Sequence, residues 1–328
     1  MSLLRMGWAW FCGATVLKYP PREVAIEPTN LCNFRCTYCP QSKPEHHKLP
    51  SGYMKLEHLD TILDRVVEAG AGWNGRVSLT HDGEPLLHPE FPEFVKRANQ
   101  RGFKPRFSSN GLKLTPEKAD LLEKAGNFTV NVDFSSDPEV FETFRGRTGH
   151  WATIKEHLSH LINMSNRNPN VQVEVFEMAG YAKPEERQVM IDRLKAVLPP
   201  ATSERVEWNV RVFHNATGTV AKSAEGQRTE VKGKYRRCPY PWSSMTIAWD
   251  GEVHACCRDL EGRTRLGNIL QAKSLWEVWN GEKYQQFRKL IATKHPEKLA
   301  ACVGCDMPWS GDPAKWRPSS ILRYLRKR

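Results

Sequence analysis

The chain has 328 residues, enough for one large core or two modest ones, and a net charge of +11 from 48 Lys and Arg against 37 Asp and Glu. Nine cysteines in that length are too sparse for a secreted disulfide scaffold, and their clustering points to metal chemistry instead. The positive balance leaves an anionic substrate, a phosphate or a membrane surface open, whereas no interior Lys/Arg run interleaved with aromatics points to nucleic acid.

Residues 1–22 read as an N-terminal helical segment. The apolar stretch between Arg5 and Lys18 is too short to cross a bilayer. It runs into Lys18-Tyr-Pro-Pro21 without a small-residue cleavage site, so a signal peptide is not indicated. The expectation is a helix packed on the following domain, with a peripheral membrane contact as the alternative. Cys12, within this apolar run, reads as a buried hydrophobe.

From residue 23 to 212, short apolar runs alternate with longer amphipathic ones, the rhythm of repeated βα units. Strands are expected near 23–28, 74–80, 103–108, 127–133, 170–177 and 205–212, and helices near 56–70, 90–101, 115–125, 151–164 and 184–197. Residues 213–236 read as a linker, 237–310 as a cysteine-bearing domain with a hairpin and short helices, and 311–328 as a basic tail. Asp250-Gly251 between alternating residues is a tight hairpin signal that would carry Cys256 on the returning strand.

The most informative run is Glu27-Pro-Thr-Asn-Leu-Cys-Asn-Phe-Arg-Cys-Thr-Tyr-Cys-Pro40. A structural zinc site normally takes four N/S ligands. Here Cys32, Cys36 and Cys39 stand in CxxxCxxC spacing without a fourth nearby, which suits a cubane iron–sulfur cluster with one open iron. Further along, His81-Asp-Gly-Glu-Pro-Leu-Leu-His88, Ser108-Ser-Asn-Gly111, Val130-Asn-Val-Asp-Phe-Ser135 and Phe144-Arg-Gly146 each follow an expected strand, where an α/β barrel displays its site.

Together these segments resemble the radical S-adenosylmethionine (SAM) enzymes. The resemblance implies an α/β fold, a partial (β/α)6 TIM-like barrel. It implies a 4Fe–4S cluster on Cys32, Cys36 and Cys39 whose open iron takes SAM, and cleavage of SAM to a 5′-deoxyadenosyl radical that removes hydrogen from an unactivated C–H bond. It places Gly83 and Glu84 at the SAM ammonium, with Asp82 standing where the family more often has glycine. Ser109, Asn110, Asp133 and Arg145 fall near the ribose and carboxylate, and Tyr38 beside adenine. A flavodoxin- or ferredoxin-type reducing partner and a cytoplasmic setting follow from the same likeness.

The C-terminal third, with Cys238-Pro-Tyr-Pro-Trp242, Ala255-Cys-Cys-Arg258 and Cys302-Val-Gly-Cys305, is similar to the SPASM/twitch auxiliary-cluster domains of that superfamily. With no cysteine after Cys305, it implies a second, auxiliary 4Fe–4S cluster on Cys238, Cys256, Cys302 and Cys305. Cys257 is left over, as a spare thiol, an alternative ligand or a hydrogen-atom donor. The expected function is dehydrogenation of a small sugar- or aminocyclitol-like substrate, anionic or glycosidic. The alternatives are epimerisation with Cys257 as catalytic donor and modification of a ribosomal peptide. The non-enzyme alternative is a zinc-binding nucleic-acid protein. Arg211 and His214, after the sixth strand, read first as surface or linker residues, with substrate contacts as the alternative.

Overall fold

The computed structural model describes residues 3–178, 185–211 and 235–309. Most of the expected linker, the whole basic tail and His214 lie outside these residues. Six parallel strands form the core: β1 (Glu23–Ile26), β2 (Arg76–Ser78), β3 (Lys104–Ser109), β4 (Phe128–Phe134), β5 (Val171–Met178) and β6 (Val206–Arg211). An N-terminal helix, α1 (Leu3–Cys12), precedes them. The connecting helices are α2 (Leu56–Glu68), α3 (Phe91–Gln100), α4 (Pro116–Ala125), α5 (Pro138–Arg145), α6 (Trp151–Arg167) and α7 (Arg187–Val197). This is a partial α/β barrel. The strand and helix expectations hold to within a few residues at the ends. The exceptions are α5, a helix that the Phe144-Arg-Gly146 motif conceals, and Cys12, which is exposed at the end of α1.

The helices follow from sequence chemistry. In α2, Leu59, Ile62, Leu63 and Val66 form one buried stripe at helical spacing, and Phe91, Phe94, Val95 and Ala98 do the same in α3. Thr115 caps α4 by accepting from Lys118 N at 3.3 Å, with Pro116 at the first helical position. Asp137 caps α5 through Glu139 N at 2.8 Å. Each fully buried Leu or Phe contributes on the order of 2 kcal/mol, so the stripes rather than helix propensity hold these elements in place.

The C-terminal segment does not form a separate sheet. The short helix α8 (Tyr240–Ser243) leads into β7 (Ser244–Ile247), which pairs in parallel with β1 in the register Glu23↔Ser244 to Ile26↔Ile247. β8 (Glu252–His254) and β9 (Arg265–Asn268) then add antiparallel, giving one nine-stranded sheet in the order β6-β5-β4-β3-β2-β1-β7-β8-β9. The turn between β7 and β8 uses Gly251 at φ +85°, the left-handed conformation that the Asp-Gly pair provides. Helices α9 (Leu275–Trp279) and α10 (Glu282–Ala292) cover the outer face. Cys256 is not on the returning strand. The β8 ladder shifts register at Val253/His254 and the strand ends at His254, so Cys256 and Cys257 sit in the turn that follows.

Among the described residues no helix is long and apolar enough to cross a membrane.

Candidate active site

Cys32–Cys39 follows the C-terminal end of β1, Glu84 that of β2, Ser109-Asn110 closes β3, and Asp133 closes β4. The topology therefore gathers these residues at one rim of the barrel. Glu84 is buried there and its carboxylate is fully engaged. Oε1 accepts from Ser109 Oγ at 2.9 Å and Leu86 N at 3.2 Å, and Oε2 accepts from Asn110 N at 2.7 Å. Asn110 in turn donates through Nδ2 to Asn33 Oδ1 in the cysteine loop, at 2.8 Å. Gly83 is required by the chain itself, since a Cβ there would fall 2.5 Å from Leu31 O. In the structure Gly83 and Glu84 brace the β2 and β3 loops against the cysteine loop.

Arg145 reaches that loop from the end of α5. Its Nη1 lies 3.7 Å from Cys36 Sγ and 3.3 Å from Tyr38 Oη, and Nη2 donates to Asp133 O. Tyr38 packs edge-on against Phe144, and Thr37 N donates to Phe144 O at 2.9 Å. The Asp133 carboxylate accepts from Arg211 Nε at 2.8 Å, with the guanidinium 3.7 Å over the Phe176 ring. Arg211 is thus part of the barrel rim, correcting its reading as a surface or linker residue.

A second layer of polar residues lies beside the rim. Glu27 takes the Asp82 N–H at 2.9 Å and the Trp249 N–H at 3.1 Å, tying β1, the β2 loop and the β7–β8 turn together. Burial, with Asp82 nearby, pushes its carboxyl up to about 8. His46 Nε2 lies 2.7 Å from Asp82 Oδ2, and His81 meets His254 of β8 at 3.2 Å. Sequence reading missed this layer: Glu27 and His81 stand in the quoted runs without a role of their own, and His46 and His254 stand in none.

The thiols have the chemistry of cluster ligands. Burial, with the Glu84 carboxylate next, pushes Cys32 up to about 12. Burial, then Asp82 and the neighbouring thiols, drives Cys39 well above its ordinary value. At the other site, burial again leads the rise of Cys238, Cys256, Cys302 and Cys305, and each of the first three feels at least two others of the four as neighbours. Buried thiols crowded together in this way become thiolates only when a cationic metal centre compensates their charge. Two iron–sulfur clusters fit these donor sets. Among the described residues, no three His, Cys, Asp or Glu side chains converge as ligands of a single metal ion. The second set is anchored by Arg258 Nη1 on Asp306 Oδ1 at 2.6 Å and by Asp259, which accepts from Arg263 N and Thr264 N.

The barrel strands and the C-terminal segment together line a cavity of about 270 Å³. Its wall includes Glu23, Arg76, Ser78, Thr80, Arg106 and Asn131 from the barrel strands, Ser244 and Thr246 from β7, and Tyr240 and Cys257 from the C-terminal segment. Parallel strands covered on both faces are normally apolar throughout; here alternate residues are polar and line the lumen. Tyr240 precedes β7 and Cys257 follows the antiparallel β8, so both stand at the end of the lumen opposite the SAM-type rim. Cys257 is reached by solvent through this space although protein surrounds it. Burial raises its thiol, against the opposing pull of the Arg258 guanidinium and the Tyr240 hydroxyl.

Glu84→Gln is expected to weaken SAM binding about tenfold or more while leaving iron content unchanged. The amide would turn a donor toward Asn110 N or Ser109 Oγ, and losing a charge-assisted hydrogen bond costs about 1.5–3 kcal/mol. Equilibrium binding of SAM to the cluster-loaded protein measures it. Unchanged affinity would show that the loops hold their shape without the carboxylate.

Comparison with known proteins agrees with this geometry. Residues 26–181 match the Radical SAM superfamily model, and residues 238–306 match the SPASM model, an iron–sulfur cluster-binding domain. The chain is 28% identical over 325 residues to a tungsten-containing aldehyde ferredoxin oxidoreductase cofactor-modifying protein of Pyrococcus furiosus, with 86% of each covered. A crystal structure of BtrN in complex with AdoMet and 2-DOIA superposes with a TM-score of 0.56 at 19% identity, covering 87% of this chain and 92% of that one. Streptococcus suis SuiB bound to precursor peptide SuiA superposes with a TM-score of 0.59 at 13% identity, over 94% of this chain and 75% of that one. With a matching core, a matching C-terminal domain and two thiol sets of the right chemistry, this chain belongs to the radical SAM superfamily, carries a SPASM-type iron–sulfur domain, and works with SAM, a SAM-binding 4Fe–4S cluster and an auxiliary 4Fe–4S cluster.

Proposed function

We propose that the chain is an oxidoreductase that dehydrogenates a small, polar, anion-bearing molecule held in the lumen. The observation that supports this reading is a cavity whose wall is shared by the barrel strands and by Tyr240 and Cys257. When bound, the cofactors supply a carbon radical able to take a hydrogen atom from an unactivated C–H bond, and a one-electron couple in the auxiliary domain. Cys32, Cys36 and Cys39 hold the first cluster, and Cys238, Cys256, Cys302 and Cys305 the second. Gly83, Glu84, Ser109, Asn110, Asp133, Arg145 and Tyr38 shape the rim that receives SAM.

Substrate orientation falls to the lumen side chains. Arg106, Arg211 and Arg258 are each held by a carboxylate, of Glu174, Asp133 and Asp306 respectively. Arg76 lines the cavity without a carboxylate in ion-pair range among the described residues. A guanidinium left so is suited to a carboxylate or phosphate of the substrate. Ser78, Thr80, Asn131 and Tyr240 offer partners for hydroxyl groups. The volume suits a small molecule, and the 28% identical relative is named for modifying a cofactor.

One observation favours a second reading, epimerisation. Cys257 opens onto this cavity with a thiol that burial keeps protonated. It stands opposite the rim, where it could return a hydrogen atom to the other face of a substrate carbon.

A small-molecule extract of the source organism, separated by charge, tests both readings. The anionic fraction should raise 5′-deoxyadenosine formation above the substrate-free rate, and Arg76→Gln should lose that rise about tenfold or more. Stimulation confined to a peptide fraction would overturn the small-molecule reading. In heavy water, a product lacking two hydrogens and free of deuterium supports dehydrogenation. One incorporated deuterium, lost together with turnover in Cys257→Ser, would make the enzyme an epimerase.

A further inference from the structure

α1 is apolar on both of its long faces, and only one of them is covered. Met6, Ala9 and Trp10 pack inward against the core, at helical spacing. The helix is firmly seated: Trp10 Nε1 donates to Arg237 O at 3.2 Å, and the Arg237 guanidinium donates to Trp10 O and, at 2.6 Å, to Phe11 O. On the other side Leu4, Trp8 and Phe11 recur at the same spacing and are 84%, 68% and 69% exposed, followed by Val16 at 55%. Trp8 and Phe11 stack on each other at 6.0 Å, so they present one continuous surface rather than scattered side chains. Single exposed apolar residues need no explanation, but a contiguous aromatic and aliphatic face on a pinned helix does.

The charges within residues 1–22 all have one sign. Residues 1–22 contain no Asp or Glu, while Arg5 and Lys18 flank the exposed face and are themselves exposed. The net charge of the whole chain is +11. A helix with Trp, Phe and Leu on one face and only cations beside it has the composition of one that lies in the plane of a membrane interface. Docking of a second copy through the same face would bring Arg5 and Lys18 of both copies together without acidic partners, which disfavours self-association.

We propose that the exposed face of α1, formed by Leu4, Trp8 and Phe11, with Val16 just after the helix and Arg5 and Lys18 flanking it, is a docking surface for an anionic lipid bilayer. The helix lies flat, burying these side chains at the headgroup level. The barrel remains on the aqueous side, with the lumen and both thiol sets outside the lipid. The attachment is peripheral and reversible, because one ten-residue helix supplies a limited apolar area and the electrostatic part is screened by salt.

Flotation of the cluster-loaded full chain with vesicles tests this. With vesicles of phosphatidylcholine and phosphatidylglycerol at 3:1, the protein should float at about 0.1 M salt, and tenfold or more of that binding should disappear on pure phosphatidylcholine. Leu4→Ser/Trp8→Ser/Phe11→Ser and, separately, Arg5→Glu/Lys18→Glu should each reduce partition about tenfold or more. Both variants change exposed residues, so unchanged iron content and circular dichroism confirm that the fold is retained. Failure of the wild-type chain to float with anionic vesicles overturns the proposal. So does equal flotation of the triple-serine variant, or a concentration-dependent dimer in sedimentation velocity that this variant abolishes.

Discussion

Cys36→Ala protein, reconstituted with iron and sulfide and supplied with a strong reductant, is expected to form no 5′-deoxyadenosine above background, a loss of at least about a thousandfold. Cys36 is the middle cysteine of the CxxxCxxC loop and is buried at the rim, with Arg145 Nη1 3.7 Å from its sulfur. Its removal leaves two thiols where three are needed to hold a cluster that keeps one iron open. It also leaves the Arg145 guanidinium, stacked on Phe34 and Phe141, without its sulfur partner. Cys12→Ala provides the control, since Cys12 is exposed on α1 and belongs to neither thiol set. Iron analysis separates the two sites: Cys36→Ala should keep the auxiliary cluster and lose the other. Near-normal cleavage by Cys36→Ala would remove this cysteine from the ligand set.

Arg288→Met is expected to lower the free energy of unfolding by about 3 kcal/mol, read as a shift of the urea midpoint. Arg288 is fully buried in α10. Its Nε donates to Pro241 O at 2.9 Å, and its Nη1 to Thr15 O at 2.8 Å and Asn280 Oδ1 at 3.3 Å. The guanidinium also lies 4.3 Å over the Trp279 ring. One side chain thus joins the segment after α1 to α8, whose Tyr240 forms part of the lumen wall. Burial has a cost, since it brings the Arg288 pKa down to about 10. Methionine relieves that cost and keeps most of the packing, but it strands the Pro241 and Thr15 carbonyls at about 1–3 kcal/mol each, while Asn280 Oδ1 keeps the Leu17 N–H at 2.9 Å. Stranding outweighs relief. Arg288→Lys should recover only part of the loss, because an ammonium cannot span acceptors placed for a planar fork. A change below about 1 kcal/mol in Arg288→Met would mean that the burial cost cancels the hydrogen bonds.

Much of the architecture is legible in the sequence because it rests on local rules. The βα rhythm of residues 23–211 comes from apolar periodicity, which changes between strand and helix wherever the chain does. The hairpin at Asp250-Gly251 comes from a backbone conformation that this pair accepts readily. α5 was not legible: its one clear apolar stripe is short, and Phe144-Arg145-Gly146 drew the eye as a motif. Glu84 was legible as a rim residue but not in its role as a brace. Hydrogen bonds to Ser109, Leu86 and Asn110 depend on the approach of two loops, and no local rule encodes that distance.

The sequence by itself determined the chemistry. Thiols spaced on one loop can hold a cluster only in certain ways, and the likeness of the C-terminal third to an auxiliary-cluster domain implies a second donor set on four of its five cysteines. Tertiary structure decided where the chemistry happens. The parallel pairing of β7 with β1, between residues more than two hundred positions apart, carries the auxiliary segment into the barrel wall and sets Tyr240 and Cys257 into the lumen. The sheet order likewise leaves Arg76 facing the cavity while Arg106 and Arg211 meet carboxylates two strands away, Glu174 and Asp133. Strand pairing over such a distance depends on the free energy of the whole fold. The identity of a side chain is written locally, whereas its neighbours are known only after the sheet has formed.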